Sequence, residues 1–251
     1  MKLILVIVAV LLLWFCYKNR SFFTYRNGVK EVVGGDPKKG LELLRKASQK
    51  GVSPNKEVQV AYAELKYGEV SRAKEKLNLV LLNSKVKQPV KYQARLMLSI
   101  IRLQEGEVAE AKESLESLYE KGYRTTNFYA TYGYMAILTG DSEYFTKINE
   151  EAYQYNRDNS VICDNYGFSL FLSGNPEQAK SVYEELIAKE PKFPEAYYNY
   201  ACVLEKSGDI MQAKQMLERS LEQEFSGVTT IKQEQVNEML ARLEQSSSQE
   251  Q

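Results

Sequence analysis

Apolar residues recur along most of this chain at the spacing of a helix face, and glycines interrupt the pattern at regular intervals. The clearest example runs from Pro194 to Phe225, where the first apolar positions are Tyr197, Tyr200, Ala201 and Leu204. Steps of three and one residue predict one face of a helix. Gly208 is predicted to end that helix, and Asp209 to cap a second one. The predicted unit is a helical hairpin with one apolar side, and it needs neighbours to bury that side.

The hairpin pattern repeats. Six glycines mark successive turns, 33 to 38 residues apart: Gly35, Gly68, Gly106, Gly140, Gly174 and Gly208. A small residue stands seven positions before each of them: Gly28, Ala61, Ser99, Gly133, Gly167 and Ala201. Five positions after each glycine the residue is again small, except for one phenylalanine: Gly40, Ala73, Ala111, Phe145, Ala179 and Ala213. Small side chains at matching positions allow the two helices of a hairpin to approach closely.

These columns resemble those of tetratricopeptide repeat proteins in period and in their aromatic and small positions. Residues at the family's signature positions include Tyr129, Tyr132, Gly133, Cys163, Tyr166, Gly167, Leu170 and Pro191. The resemblance extends over most of the chain and is closest from 127 to 225. It implies an all-α fold, a right-handed superhelix of about six helical hairpins. An ordinary helical bundle is the alternative.

The pattern divides the chain into segments. A single hydrophobic helix is predicted at 1–20 as a transmembrane or signal-anchor segment. The repeats are predicted at 21–54, 55–91, 92–125, 126–159, 160–193 and 194–227. A capping helix follows at 228–245, with an apolar stripe formed by Val236, Met239, Leu240 and Leu243. Residues 246–251 carry no apolar side chain and are predicted to be a disordered tail.

Residues 3–17 form an unbroken apolar run of fifteen, somewhat shorter than the ~20 residues of a typical spanning helix. Three interpretations compete: a cleaved secretory signal, a lipoprotein signal and a retained membrane anchor. The run ends in Trp14, Phe15, Cys16 and Tyr17, which are all bulky except Cys16, whereas cleavage requires small residues. We therefore favour an anchor in contact with membrane lipid, with Trp14 and Tyr17 at the interface.

Charge predicts the orientation. Residues 1–90 hold 17 Lys and Arg against 7 Asp and Glu, whereas residues 91–251 hold 16 against 26. The basic residues that follow the apolar run favour a single-pass protein of the cell membrane with its repeats in the cytoplasm. An extracytoplasmic assembly factor of the same architecture is the alternative. Nucleic acid binding is not expected, because the basic half carries no recognised nucleic-acid-binding motif and the rest of the chain is acidic.

The composition argues against an enzyme. The chain has no histidine, which removes the commonest general base and metal ligand. Three cysteines, Cys16, Cys163 and Cys202, form no CxxC pair, so neither a cysteine zinc site nor a disulfide framework is predicted. No phosphate-binding loop or serine-elbow motif is present. We expect no catalytic residue, metal, cofactor or small-molecule substrate.

Binding of a protein or peptide remains as the expected function. By match to the family's groove positions, the resemblance implies a partner-binding groove that includes Tyr134, Asn165, Phe168, Tyr198, Asn199 and Cys202. The groove positions Asp164, Phe168, Tyr198 and Cys202 offer no cation for a terminal carboxylate, so we expect an apolar or aromatic partner segment. Two alternatives stay open: the tyrosines pack between repeats, or the protein is a regulatory subunit whose own segment fills the groove.

Overall fold

The computed structural model of the protein describes Trp14 and residues 20–249. This part of the chain forms thirteen helices and no strand: α1 Arg20–Gly34, α2 Pro37–Gln49, α3 Pro54–Tyr67, α4 Val70–Leu82, α5 Gln88–Gln104, α6 Val108–Glu120, α7 Thr126–Leu138, α8 Ser142–Tyr155, α9 Ser160–Leu172, α10 Pro176–Ile187, α11 Pro194–Lys206, α12 Ile210–Leu221 and α13 Gln233–Gln249. The all-α prediction is confirmed for these residues. Consecutive helices pack as hairpins in the pairs α1–α2, α3–α4, α7–α8, α9–α10 and α11–α12. The handedness of the predicted superhelix stays a prediction.

The predicted membrane anchor, residues 3–17, lies outside the described residues apart from Trp14, whose side chain is exposed. Among the described helices, none is both long enough and apolar enough to span a bilayer.

In the turn between α11 and α12, a glycine ends the first helix and a capping residue starts the second. Gly208 has φ +83°, a left-handed conformation that glycine adopts without a steric penalty. The Asp209 carboxylate then accepts a hydrogen bond from the Gln212 N–H at 3.1 Å and caps α12. This confirms the predicted end of one helix and start of the next.

The chain divides into two compact units, residues 1–98 and 99–251. The core of the first unit is formed by Tyr25, Leu41, Leu44, Ala47, Val60 and Ala63. A Cβ on Gly28 would lie 2.9 Å from Leu44 Cγ, so α1 and α2 approach as closely as the small residue permits. Beside this core, the Arg45 guanidinium binds the fully buried carboxylate of Glu64 at 2.7 Å.

One hydrophobic core cluster of the second unit extends from α9 to α13. Close packing again depends on a glycine, because a Cβ on Gly167 would lie 2.9 Å from the ring of Tyr183. In the preceding hairpin, Phe145 is buried at the position that is small elsewhere. There, a Cβ on Gly133 would lie 2.3 Å from Oδ1 of the buried Asn149.

The C-terminal helix begins later and ends later than the predicted segment 228–245. Val236, Met239 and Leu243 of α13 are buried in the core of the second unit, and Leu240 packs against it. The helix begins only at Gln233. The preceding Thr229 and Thr230 bond to Ser226 and Glu195. The helix then continues to Gln249, so residues 246–249, predicted to be disordered, are helical. No glycine or proline follows Leu243 to stop the helix.

Candidate functional site

All six predicted groove residues lie on the first helices of hairpins in the second unit. Tyr134 is on α7, Asn165 and Phe168 are on α9, and Tyr198, Asn199 and Cys202 are on α11. Asn165 is buried and the other five are half-buried. Their environments differ, because some bond to neighbouring helices and others border a loop.

The two asparagines join neighbouring hairpins. The Asn165 amide donates to the backbone carbonyl of Ala130 at 2.8 Å, which connects α9 to α7. The Asn199 amide donates to the Asp164 carboxylate at 3.1 Å, which connects α11 to α9. These amide N–H groups therefore stabilise the packing of one first helix on the next.

Asp164 is the centre of a buried polar network that the sequence analysis did not predict. Its carboxylate, with only 4% of the residue exposed, accepts a hydrogen bond from the Tyr183 hydroxyl at 2.9 Å and from Asn199. Burial in the core raises the pKa of Asp164 to about 7, and the two hydrogen bonds oppose that shift. Burial also raises the pKa of Tyr183, and the neighbouring Asp164 adds to that shift. The only sequence signal was one acidic residue within an otherwise apolar helix.

Tyr198 and Cys202 lie where α11 meets the C-terminal helix. Both pack against the core of the second unit, to which α13 contributes. Arg242 of α13 forms an ion pair with Glu205 of α11. Burial raises the pKa of the Cys202 thiol to about 12, so the thiol stays protonated at neutral pH.

Phe168 belongs to an apolar stripe along α9. Val161 and Leu172 are 40% and 44% exposed, and they lie seven residues before and four residues after Phe168, on the same side of the helix. The Phe168 ring also stacks on Phe171, with 5.9 Å between ring centroids. We call Val161, Phe168 and Leu172 the apolar stripe.

A loop lies against the same side of these first helices. We call residues 222–232, which connect α12 to α13, the groove loop. The Gln104 side-chain amide, at the end of α5, donates to the carbonyl of Gly227. Both the backbone N–H and the hydroxyl of Thr230 donate to the carboxylate of Glu195 on α11. The Thr230 hydroxyl also lies near the phenol of Tyr134 on α7. The loop thus lies against side chains from the first helices of three hairpins.

The loop residues that contact these helices are largely uncharged. Ser226 and Thr229 close a turn, in which the Ser226 N–H donates to the Thr229 hydroxyl at 2.9 Å. Val228 and Ile231 are half-buried. Gln104, Tyr134, Phe168 and Glu195 line one side of their helices, which we call the groove face.

Residues 170–227 match the family model of the tetratricopeptide repeat. The chain is similar to a tetratricopeptide repeat protein from Parabacteroides merdae, with a TM-score of 0.67 and 12% identity, covering 90% of this chain and 84% of that one. It is also similar to TTC0263, a tetratricopeptide repeat protein of Thermus thermophilus, with a TM-score of 0.59 and 17% identity, covering 76% and 98%. The fold is that of a tetratricopeptide repeat protein.

A further similar structure is a chain of the Cut9–Hcn1 hetero-tetramer of the APC/C, with a TM-score of 0.68 and 14% identity. That match covers 89% of this chain and 42% of the other. No curated protein matches the sequence significantly. At these identities the similarities establish the tetratricopeptide fold.

The tetratricopeptide pattern did not indicate which groove positions are used within the chain. Asp164 and Asn199 bond to each other across neighbouring repeats, and Tyr134 lies near Thr230 of the groove loop. Glu195 and Gln104 were missed, because they fall outside the positions matched to the family's groove. Over the described part of the chain, no three acidic or cysteine side chains form a group able to hold a metal ion.

Proposed function

We propose that this protein is a membrane-anchored adaptor that holds a segment of a partner protein on the groove face of its C-terminal repeats. The apolar stripe on α9 supports this proposal most directly. Val161 and Leu172 leave 40% and 44% of their surfaces exposed on a helix whose opposite side is core. Exposed apolar surface beside hydrogen-bonding groups suits a partner segment that brings apolar or aromatic side chains.

The tetratricopeptide fold supports the same conclusion at a coarser level. Its repeats are protein-interaction modules that need no bound cofactor. The groove face adds specific groups: the Gln104 amide donates a hydrogen bond and the Glu195 carboxylate accepts them. Such groups bind the backbone of a peptide, while the apolar stripe binds its side chains.

The outer face of α1 supports the proposed attachment to a membrane. Phe22, Phe23 and Val33 are 46%, 39% and 81% exposed, and the basic residues Arg26 and Lys30 lie on the same face. Exposed aromatic and basic side chains on one helix face favour contact with an anionic lipid surface. This helix follows the apolar run 3–17 directly, so we propose that the run anchors the protein and that α1 lies close to the headgroups.

We also propose that the repeats lie in the cytoplasm. Lys18, Arg20, Arg26 and Lys30 all follow the proposed anchor within a short stretch. Basic residues on that side of an anchor favour its retention on the cytoplasmic side. The outer face of α1 then meets the leaflet that is richer in anionic lipid.

The orientation is testable with Gln251→Cys in the full-length protein. On intact cells, a membrane-impermeant maleimide is expected to leave this cysteine unlabelled, and permeabilising the cells should expose it. The wild-type chain controls for the native thiols, of which Cys163 is buried and Cys202 half-buried. Labelling before permeabilisation would contradict the proposed orientation and favour an extracytoplasmic assembly factor.

Binding at the groove face is testable with Phe168→Asp. A charge in the middle of the apolar stripe would have to be desolvated by an apolar partner segment, so we expect at least a tenfold loss of crosslinked partner from membranes. Met211→Asp is the matched control. Met211 lies on α12, a second helix of a hairpin, and is 71% exposed. Equal crosslinking of both variants and the wild type would exclude the groove face as the binding site.

A further inference from the structure

The groove loop occupies part of the face that is proposed to bind a partner. Its contacts are those that a bound peptide would make: a backbone carbonyl accepts from Gln104, and a backbone N–H donates to Glu195. The Thr230 hydroxyl completes the set by donating a hydrogen bond to Glu195. Two of these three contacts use the backbone, which any peptide segment supplies.

The loop leaves the neighbouring apolar surface exposed. Val161 and Leu172 on α9 keep 40% and 44% of their surfaces exposed, although Glu195 on the neighbouring helix α11 binds the loop. The loop therefore satisfies the polar groups of the groove face without covering its apolar stripe. A longer segment is able to hydrogen-bond the polar groups and to cover the apolar stripe.

We infer that the groove loop is an internal ligand that a partner displaces. The partner is an irregular or extended segment of another protein. It replaces Thr230 with its own backbone N–H and an uncharged hydroxyl or β-branched residue, and it adds an apolar side chain against the α9 stripe. This inference rests on the proposed use of the groove face. It adds that the wild-type protein is partly self-inhibited and that the loop sequence itself indicates the chemistry of the partner.

The loop competes with a partner for the groove face, and two free-energy contributions decide the outcome. A tethered segment competes at an effective concentration in the millimolar range, so a free peptide of the same sequence is expected to bind the wild type weakly. The apparent dissociation constant rises in proportion as the open fraction of the protein falls. A partner that also buries Val161, Phe168 and Leu172 gains apolar area that the loop does not bury.

The test uses a fluorescent synthetic peptide of residues 225–232 and the full-length protein in detergent. Thr230→Pro removes both the N–H and the hydroxyl that bond to Glu195, and we expect this variant to bind the peptide at least tenfold more tightly than the wild type. Adding Glu195→Gln should reverse most of that gain. Glu224→Ala, an exposed change in the same loop, is the matched control and should bind as the wild type does.

A second measurement does not depend on how the variants fold. When the peptide is added to the wild type at saturating concentration, amide hydrogen exchange within residues 222–232 should rise at least threefold. Equal affinity for the wild type and Thr230→Pro, or loop exchange that the peptide leaves unchanged, would overturn the internal-ligand inference. The proposed function would survive that result, since the loss of partner crosslinking in Phe168→Asp tests it separately.

Discussion

Replacing Asp164 with asparagine is expected to make the protein more stable at pH 8 and to remove a large part of its pH dependence between pH 4 and 7. Burial raises the pKa of this carboxyl from its ordinary value of 3.8 to about 7 in the folded protein. The folded state therefore holds the Asp164 proton more tightly than the unfolded state does. Asparagine has the same shape and no charge, so it avoids the cost of a buried carboxylate.

The direction of this pH effect follows from the linkage between proton binding and folding. For an acid whose pKa is raised by folding, the stabilising contribution of the protonated form is fully present below pH 4. This contribution is lost as the pH rises to about 7. Above that pH, titration of Asp164 no longer changes the free energy of unfolding. The difference between pKa values of 3.8 and about 7 corresponds to a change on the order of 4 kcal/mol in the free energy of unfolding.

The measurement is chemical denaturation of the wild type and Asp164→Asn from pH 4 to 8. The difference between their unfolding free energies should grow with pH up to about 7 and then level off. The introduced asparagine can still accept from the Tyr183 hydroxyl, and the Asn199 side chain can rotate to accept from the new amide. Asp158→Asn is the control, because Asp158 is exposed in a neighbouring connection. A difference that is constant with pH would contradict a buried, titrating Asp164.

Gly167→Leu is expected to destabilise the second unit by about 1–3 kcal/mol through overpacking. Even a methyl group at this position would lie 2.9 Å from the ring of Tyr183, which is fully buried. The ring cannot move freely, since its hydroxyl bonds to the Asp164 carboxylate at 2.9 Å. Leucine favours helix more than glycine does, by under about 1 kcal/mol, so the net effect remains destabilising.

Thermal unfolding followed by circular dichroism measures this effect. A loss of about 2–4 °C in melting temperature is expected per kcal/mol for a protein of this size. Val161→Leu is the matched control, since Val161 lies on the same helix with 40% of its surface exposed. If Gly167→Leu and the control have the same melting temperature, α9 and α10 do not pack as closely as described.

The sequence predicted that the groove residues lie on the first helices of their hairpins, but not which hydrogen bonds they form. Tyr134 and Phe168 stand 34 residues apart at equivalent positions of neighbouring repeats, so their placement on first helices followed from periodicity. Asn199 also stands at such a position, yet it bonds to Asp164 in the neighbouring repeat. Thr230 falls within the predicted capping helix 228–245, but it lies in the groove loop and bonds to Glu195.

The sequence by itself determined the helical hairpins, their glycine turns and the side of each helix that is buried. These features depend on residues within one or two helical turns of each other, and periodicity records them directly. Only the tertiary structure decided that Asn149 and Tyr183 face the glycines of their hairpins. It also decided that Asp164 is buried beside the neutral side chains of Tyr183 and Asn199, and that residues 222–232 return to the groove face. Each of these contacts joins residues of different helices or of a helix and a distant loop. Their pairing depends on how the helices pack, and no local pattern of apolar and polar residues specifies it.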